Sequence, residues 1–317
     1  MEAAAALTSV TREVTKLLGL AIGYGLESDV RDAYAFVMRQ FQAGDFLFLF
    51  GFSRGAYTVR AVASLLHMYG LLAPGNEPLI PYAIRMMSAV GRQTDTKKAF
   101  RMAADFRSTF RGPLCKPHFV GVWDTVSSIG WIENPLKLPY SASNADIEIG
   151  RHAVAIDERR AFFRTNLWRP DPPAPNGGPK DLKQVWFPGV HCDVGGGYPE
   201  PESGLSKFPF EWMVREAAAA GLHVDRSRVD EVIGRTGNQY ATADANAKLH
   251  ESLTVWWLPS EAIPKKHWNW QKQREERRMN FGRRRTMPAR PLVHAVAFER
   301  SGYRVPPGAI RVDTASW

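Results

Sequence analysis

Two cysteines, Cys115 and Cys192, are all the thiols that 317 residues hold. They are too few for a disulfide framework and match no metal-ligand spacing, so nothing in the chain demands an oxidising compartment. No apolar run reaches the roughly 18 residues of a spanning helix. The first stretch, MEAAAALTSVTREVTKLLGL, carries Glu2 and Glu13 and lacks a basic start followed by an apolar core, so it does not read as a secretory signal. These absences lead to the expectation of a chain that is cytoplasmic as synthesised. Internal repeats are also missing, which excludes a solenoid, and no recognised nucleic-acid motif occurs, so no nucleic acid is expected as a partner.

What is present argues for a folded enzyme-sized domain. An apolar fraction of 44% with 10 tryptophans is globular rather than disordered. The net charge of +9 is uneven: Lys265 to Arg290 alone holds ten Lys or Arg residues against Glu275 and Glu276. Interleaved with Trp268, Trp270 and Phe281, this segment fits peripheral contact with an anionic membrane, Arg283, Arg284 and Arg285 included. It also fits a solvated basic helix and loop.

The most informative stretch is Phe46 to Tyr57, FLFLFGFSRGAY. An apolar pentad between Gly44-Asp45 and Gly51 predicts a strand buried on both faces. Gly51-Phe52-Ser53-Arg54-Gly55 fits GxSxG, and a helical pattern with Val59, Val62, Ala63 and Leu66 follows to Gly70. Strand, glycine-bracketed serine and helix is the context of a nucleophile elbow. The glycines two residues either side of Ser53 read as positions where a Cβ would crowd the turn. The backbone N–H of Arg54, the residue after the candidate nucleophile, is the expected oxyanion-hole donor.

Elsewhere, Leu7, Val10, Val14 and Leu17 predict a helix over 2–18, and Val30, Tyr34, Val37 and Phe41 a second one closed by Gly44. Ile84 to Phe110 reads as one or two helices. PHFVGVW, Pro117 to Trp123, predicts a strand with Asp124 at its end. Asn144 to Phe163 looks helical, and Arg169 to Lys180 is a Pro/Gly-rich loop. QVWF, Gln184 to Phe187, predicts a third strand, running into His191 on a glycine-rich loop. Leu205 to Ala220 predicts a helix, and Pro291 to Phe298 an edge strand or docked tail. These elements give an α/β chain with one catalytic domain over 1–260 and a basic, aromatic extension over 261–317.

Ser53, Asp124 and His191 each follow a predicted strand, in the Ser, acid, His order of α/β-hydrolases. His191 would take the Ser53 proton and Asp124 would orient the imidazole. Asp193 is a rival acid two residues from His191. A metal held by His191, Asp193 and Asp124 has no recognised ligand spacing, and Cys192 has no second histidine to activate it. Neither metal nor cofactor is called for.

The blocks GDFLFLFGFSRGAYTVRAVA, VGVWDTVSSIG, HAVAIDERRAFFRTNLW and QVWFPGVHCDVGGGYPE, with GLSKFPFEWMVREA after them, resemble a bacterial and fungal α/β-hydrolase family, long catalogued as a domain of unknown function, that includes the first class of type VI secretion lipase effectors. The resemblance runs from about Gly19 to Ala220. It implies a mostly parallel central sheet flanked by helices, ester hydrolysis on phospholipids of phospholipase A type, and triad positions at Ser53, Asp124 and His191. It further implies a phospholipid or other ester substrate, a secretion-system or immunity partner, and export as a type VI effector. Relatives begin with a strand ending in a DGTxN-like block that would supply a sheet position and a second oxyanion donor; nothing before Gly19 resembles it. The expected function is therefore a serine esterase or lipase, and the alternative a truncated, catalytically silent hydrolase-like domain serving as a binding or structural module.

Overall fold

A computed structural model describes residues 25–90, 96–126, 130–131, 134–135, 138–169 and 177–317. The helix expected over 2–18 and the stretch where the relatives' first strand would fall lie outside them. The helices are α1 (25–40), α2 (Arg54–Tyr69), α3 (Ile80–Val90), α4 (Thr96–Phe110), α5 (His191–Gly195), α6 (Lys207–Ala219), α7 (Arg226–Val232), α8 (Leu258–Glu261) and α9 (Val296–Glu299). The strands are β1 (Leu47–Phe52), β2 (Pro117–Trp123), β3 (Gly130–Trp131), β4 (Asn134–Pro135), β5 (Ile149–Ala155), β6 (Asp181–Phe187), β7 (Lys265–Asn269), β8 (Arg274–Arg278), β9 (Leu292–His294) and β10 (Ile310–Val312).

Six strands form a mostly parallel central sheet in the order β1-β2-β5-β6-β9-β10, while β3-β4 and β7-β8 are separate antiparallel pairs. With helices between the strands, this is the α/β-hydrolase-like architecture that the motifs imply. The chain divides into two compact units, one of 1–120, 127–150 and 166–182 and the other of 121–126, 151–165 and 183–317. Neither boundary falls at 260. Residues 261–317 group with 183–260 and contribute β9 and β10 to the sheet.

In the first unit, α2 supplies the apolar face that its spacing predicts: Ala61, Val62, Ala63, Leu65 and Leu66 are buried. Tyr34 of α1 is 1% exposed and donates its hydroxyl proton to Gly70 O at 2.6 Å while accepting from Leu72 N–H at 3.0 Å, which fixes the exit of α2. Arg60, also buried, donates to Ser141 O and Asn166 O and lies over the Trp168 ring. Burial pushes its guanidinium down to about 9. The strand β1 is less enclosed than its composition suggests. It ends the sheet among the described residues, and Phe46 and Phe50 are 68% and 38% exposed. The aromatics here are used laterally instead: Phe46, just before β1, stacks on His118, Phe48 stacks on Phe119, and Phe50 meets Phe119 at a tilt.

In the second unit, the stretch expected as a helix contains the central strand β5. Its buried Arg151 and His152 imitate the polar face of a helix. Both are satisfied by distant groups: Arg151 Nε donates to Glu216 at 2.5 Å, and His152 Nε2 accepts from Thr125 N–H at 3.1 Å. Local periodicity cannot register such partners.

The two glycines around Ser53 differ. A Cβ on Gly51 would stand 2.3 Å from Gly55 O and 2.6 Å from Ala56 N, whereas one on Gly55 would meet nothing within 4 Å. Only the first is required by close approach, which corrects the symmetric expectation. Gly51→Ala should cost roughly 1–3 kcal/mol of stability through overpacking. Gly55→Ala, in the first turn of α2, should be neutral or gain up to about 1 kcal/mol from reduced unfolded-state entropy. Urea unfolding of the two variants checks the asymmetry.

Candidate active site

The second unit builds a buried acid–imidazole pair from two strand ends. At the end of β2 the chain turns through Asp124, whose φ of 41° lies in the left-handed region that Asp tolerates better than most side chains. Its N–H donates to Ala153 O at 2.7 Å and its Oδ1 accepts from Ala155 N–H at 3.0 Å, so β5 holds both ends of the residue. After β6, Gly189 adopts φ 112°, and a Cβ there would stand 2.5 Å from that of Asp193. Three successive backbone N–H groups then donate to carboxylates: Gly189 to Asp157 at 2.8 Å, Val190 to Asp193 at 3.0 Å and His191 to Glu158 at 3.2 Å. His191 thus opens the short helix α5 rather than sitting on a free loop, and its position is pinned by three acids.

The ring of His191 is buried, with Nδ1 2.6 Å from Asp124 Oδ2. A carboxylate there can only accept, so Nδ1 carries the proton and Nε2 is the basic nitrogen. Phe163 meets the imidazole edge to face, with centroids 4.8 Å apart. Glu158, fully buried, also takes Arg160 in a two-pronged contact, and Arg160 lies over the Phe163 ring. Burial opposes its ionisation, but hydrogen bonds from Arg160 keep Glu158 below the usual carboxylate range.

Arg285 is the unforeseen member. Expected on a membrane-facing segment, its side chain is 6% exposed and grips Asp124 with both terminal nitrogens, Nη1 to Oδ1 at 2.5 Å and Nη2 to Oδ2 at 2.9 Å. Its Nε donates to Phe163 O at 2.8 Å. Burial would raise the Asp124 pKa, yet the Arg285 charge and the His191 hydrogen bond hold it well below the carboxylate range. Sequence gave no sign of this, because one arginine in an RRR run looks like its neighbours. Of the other members of the basic segment, Lys265 and Asn269 are buried too.

The rival acid Asp193 is engaged elsewhere. Its Oδ1 lies 2.6 Å from His250 Nδ1, while His250 Nε2 lies 2.7 Å from Glu202 and the ring stacks on Tyr198 at 3.5 Å. Among the described residues no group of His, Cys, Asp and Glu side chains is arranged to hold a metal ion.

Ser53 belongs to the first unit. It lies between β1 and α2 with φ 55° and ψ −115°, a strained conformation for a residue with a Cβ, and its carbonyl accepts from Tyr57 N–H at 3.3 Å. Arg54 is the first residue of α2, so its N–H has no acceptor within the helix.

Removing Arg285 leaves a buried carboxylate short of its strongest donors. Arg285→Gln should lose roughly 3–5 kcal/mol, while the exposed Arg290→Gln should stay within about 0.5 kcal/mol. The depressed Asp124 pKa makes the native carboxylate harder to protonate than the unfolded one. Its stabilisation is therefore complete above about pH 4 and is withdrawn as the pH falls below that. Chemical denaturation across the acid range should show that limb, shallower in Arg285→Gln.

Comparison with known proteins places the chain in a family. A family model described as "T6SS, Phospholipase effector Tle1-like, catalytic domain" matches residues 2–216. The "Uncharacterized protein YEL023C" of Saccharomyces cerevisiae is 31% identical over 179 residues, which is 54% of this chain and 26% of the yeast protein. An uncharacterized protein from Pseudomonas aeruginosa of known structure is similar at 22% identity over 67% of this chain and 29% of that one, with a TM-score of 0.36. The Tle1 effector, solved bound to the VgrG spike of the type VI secretion system, is similar at 22% identity over 63% of this chain and 32% of that one, with a TM-score of 0.27. The chain thus spans between a quarter and a third of the length of these relatives. By the family match over most of its length, the chain belongs to the type VI secretion Tle1-like phospholipase effector family, within its catalytic domain.

Proposed function

We propose that this chain is a serine hydrolase of carboxylic esters, acting on glycerophospholipids in the manner of a phospholipase A. The observation that carries the reading is the buried Asp124–His191 pair at 2.6 Å, in a chain whose family is one of phospholipase effector catalytic domains. Ser53 would attack the ester carbonyl, His191 Nε2 would accept its proton and return it to the departing alcohol, and Asp124 would fix the imidazole tautomer and stabilise the imidazolium. The strained backbone at Ser53, between β1 and the first turn of α2, favours this role, and the Arg54 N–H would donate to a developing oxyanion. No step calls for a cofactor. A secretion-system or immunity partner belongs to the same reading, by analogy with the effectors of the family.

Peripheral attachment to an anionic bilayer would use the outward cations of the hairpin β7-β8. Lys266 and Arg277 lie directly opposite each other across it, and both are exposed. Among the described residues no helix is long and apolar enough to cross a membrane.

A fluorophosphonate probe should label Ser53 in the folded chain, and Ser53→Ala should abolish labelling. Asp124→Asn, judged by the chymotrypsin precedent, should slow ester turnover roughly 10⁴-fold. A folded wild-type chain that stays unlabelled would instead identify a silent binding module. In flotation with phosphatidylglycerol vesicles, the double variant Lys266→Gln, Arg277→Gln should bind less than wild type, and equal binding removes the membrane contact.

A further inference from the structure

The cleft beside His191 is basic out of proportion to its carboxylates. Seven arginines line it, with Glu158 as the acidic residue among them, and it is open to solvent. Four of the seven are paired: Arg159 with Glu251, Arg160 with Glu158, Arg284 with Asp157 and Arg285 with Asp124. Arg164, Arg278 and Arg283 form no ion pair among the described residues. Arg164 Nη2, Arg278 Nε and Thr165 Oγ1 are buried without a hydrogen-bond partner. Neither ring nitrogen of His267 makes a hydrogen bond, the nearest carboxylate oxygen, of Glu276, standing 3.6 Å from Nε2.

The register of the hairpin adds to the excess. Lys265 stands directly opposite Arg278, and like charges so placed repel. Lys265 is itself buried, its Nζ over the Phe162 ring and without a hydrogen-bond partner. Buried, unmatched donors of one sign are costly, and in folded chains such groups are met by ordered water or a bound ion. A polyatomic anion would answer the whole set, because guanidinium forks match phosphate oxygens in pairs and one phosphate offers several acceptors about a single centre.

We propose that this cleft is a phosphate-binding site, held by Arg164, Arg278 and Arg283, which takes the phosphate of a glycerophospholipid headgroup or free phosphate. Its place in the second unit suits the first source. Phe163 lines the cleft and meets the His191 ring, and Arg285 lines it and holds Asp124. In a glycerophospholipid the central acyl ester and the phosphate hang on adjacent glycerol carbons, so a phosphate fixed here brings an ester toward the imidazole. Trp268 and Trp270, packed edge to face at 6.3 Å, line the same cleft and offer apolar contact to the glycerol and the first acyl carbons. The lipid source rests on the ester-hydrolase reading; the phosphate site itself does not.

Isothermal titration of the whole chain with inorganic phosphate should detect binding that Arg278→Gln and Arg283→Gln each weaken roughly tenfold, the loss of one charge-assisted contact. Arg290→Gln should leave it unchanged. Arg283 is exposed, so its variant tests the site without disturbing the fold. Displacement of phosphate by short-chain phosphatidylglycerol, below its micellar concentration, assigns the lipid headgroup. Displacement by glycerol 3-phosphate alone assigns the free anion. Absence of phosphate binding to the wild type, or binding that both variants leave intact, overturns the proposal. Because no turnover is read, a chain that binds phosphate yet resists fluorophosphonate keeps this site and loses the hydrolase; a labelled chain that ignores phosphate does the reverse.

Discussion

The carboxylate of Asp124 is the point through which the second unit is tied. It ends β2, takes an N–H of β5, holds the His191 ring after β6 and receives both terminal nitrogens of Arg285, 161 residues further on. A fully buried charge is tolerable only when its lone pairs are filled, and four hydrogen bonds fill these. The same demand explains why the chain beyond 260 is part of the fold. The Asp124 charge needs a cation, and the loop that supplies it leads directly to β9 and β10 of the sheet.

The basic segment is therefore used in two directions. Lys265 and Arg285 are buried, while Lys266, Arg277 and Arg283 are exposed. Within the hairpin, Lys265 and Lys266 divide because alternate residues of a strand face opposite sides, while Arg283 and Arg285 lie beyond it and divide by their partners, which a count of charges along the chain cannot reveal. Burial of Lys265, and then the charge of Arg164, push its ammonium down to about 7. Inward cations of this kind detract from stability unless an anion meets them.

Much of the architecture was legible in sequence because its signals are local. The apolar runs before Ser53 and Asp124 and the 3.6-residue spacing after Ser53 yielded β1, β2 and α2 close to their observed limits. The pairing of Asp124 with His191 followed from two strand ends and a chain order. What stayed illegible depends on partners far apart in the chain. The strand β5 lies in a stretch that looks helical, with His152, Asp157, Glu158, Arg159 and Arg160 in it; Glu216 and Thr125 are what make Arg151 and His152 suitable for a core. Gly55 was grouped with Gly51 by the symmetry of GxSxG, although space around the turn is not symmetric. Arg285 could not be singled out at all, since burial and not residue type distinguishes it from Arg283 and Arg284.

In the proposed hydrolase, Arg285 would also limit how strongly Asp124 can assist His191. A carboxylate that neutralises a guanidinium has less of its field left for an imidazolium, and the two cations repel across it. Beside a solitary Asp the imidazolium would gain the full attraction; here it gains the remainder. The arginine nevertheless faces the cleft on its other side. A phosphate anion seated there would offset part of the guanidinium charge, and the Asp124 field at His191 would recover accordingly.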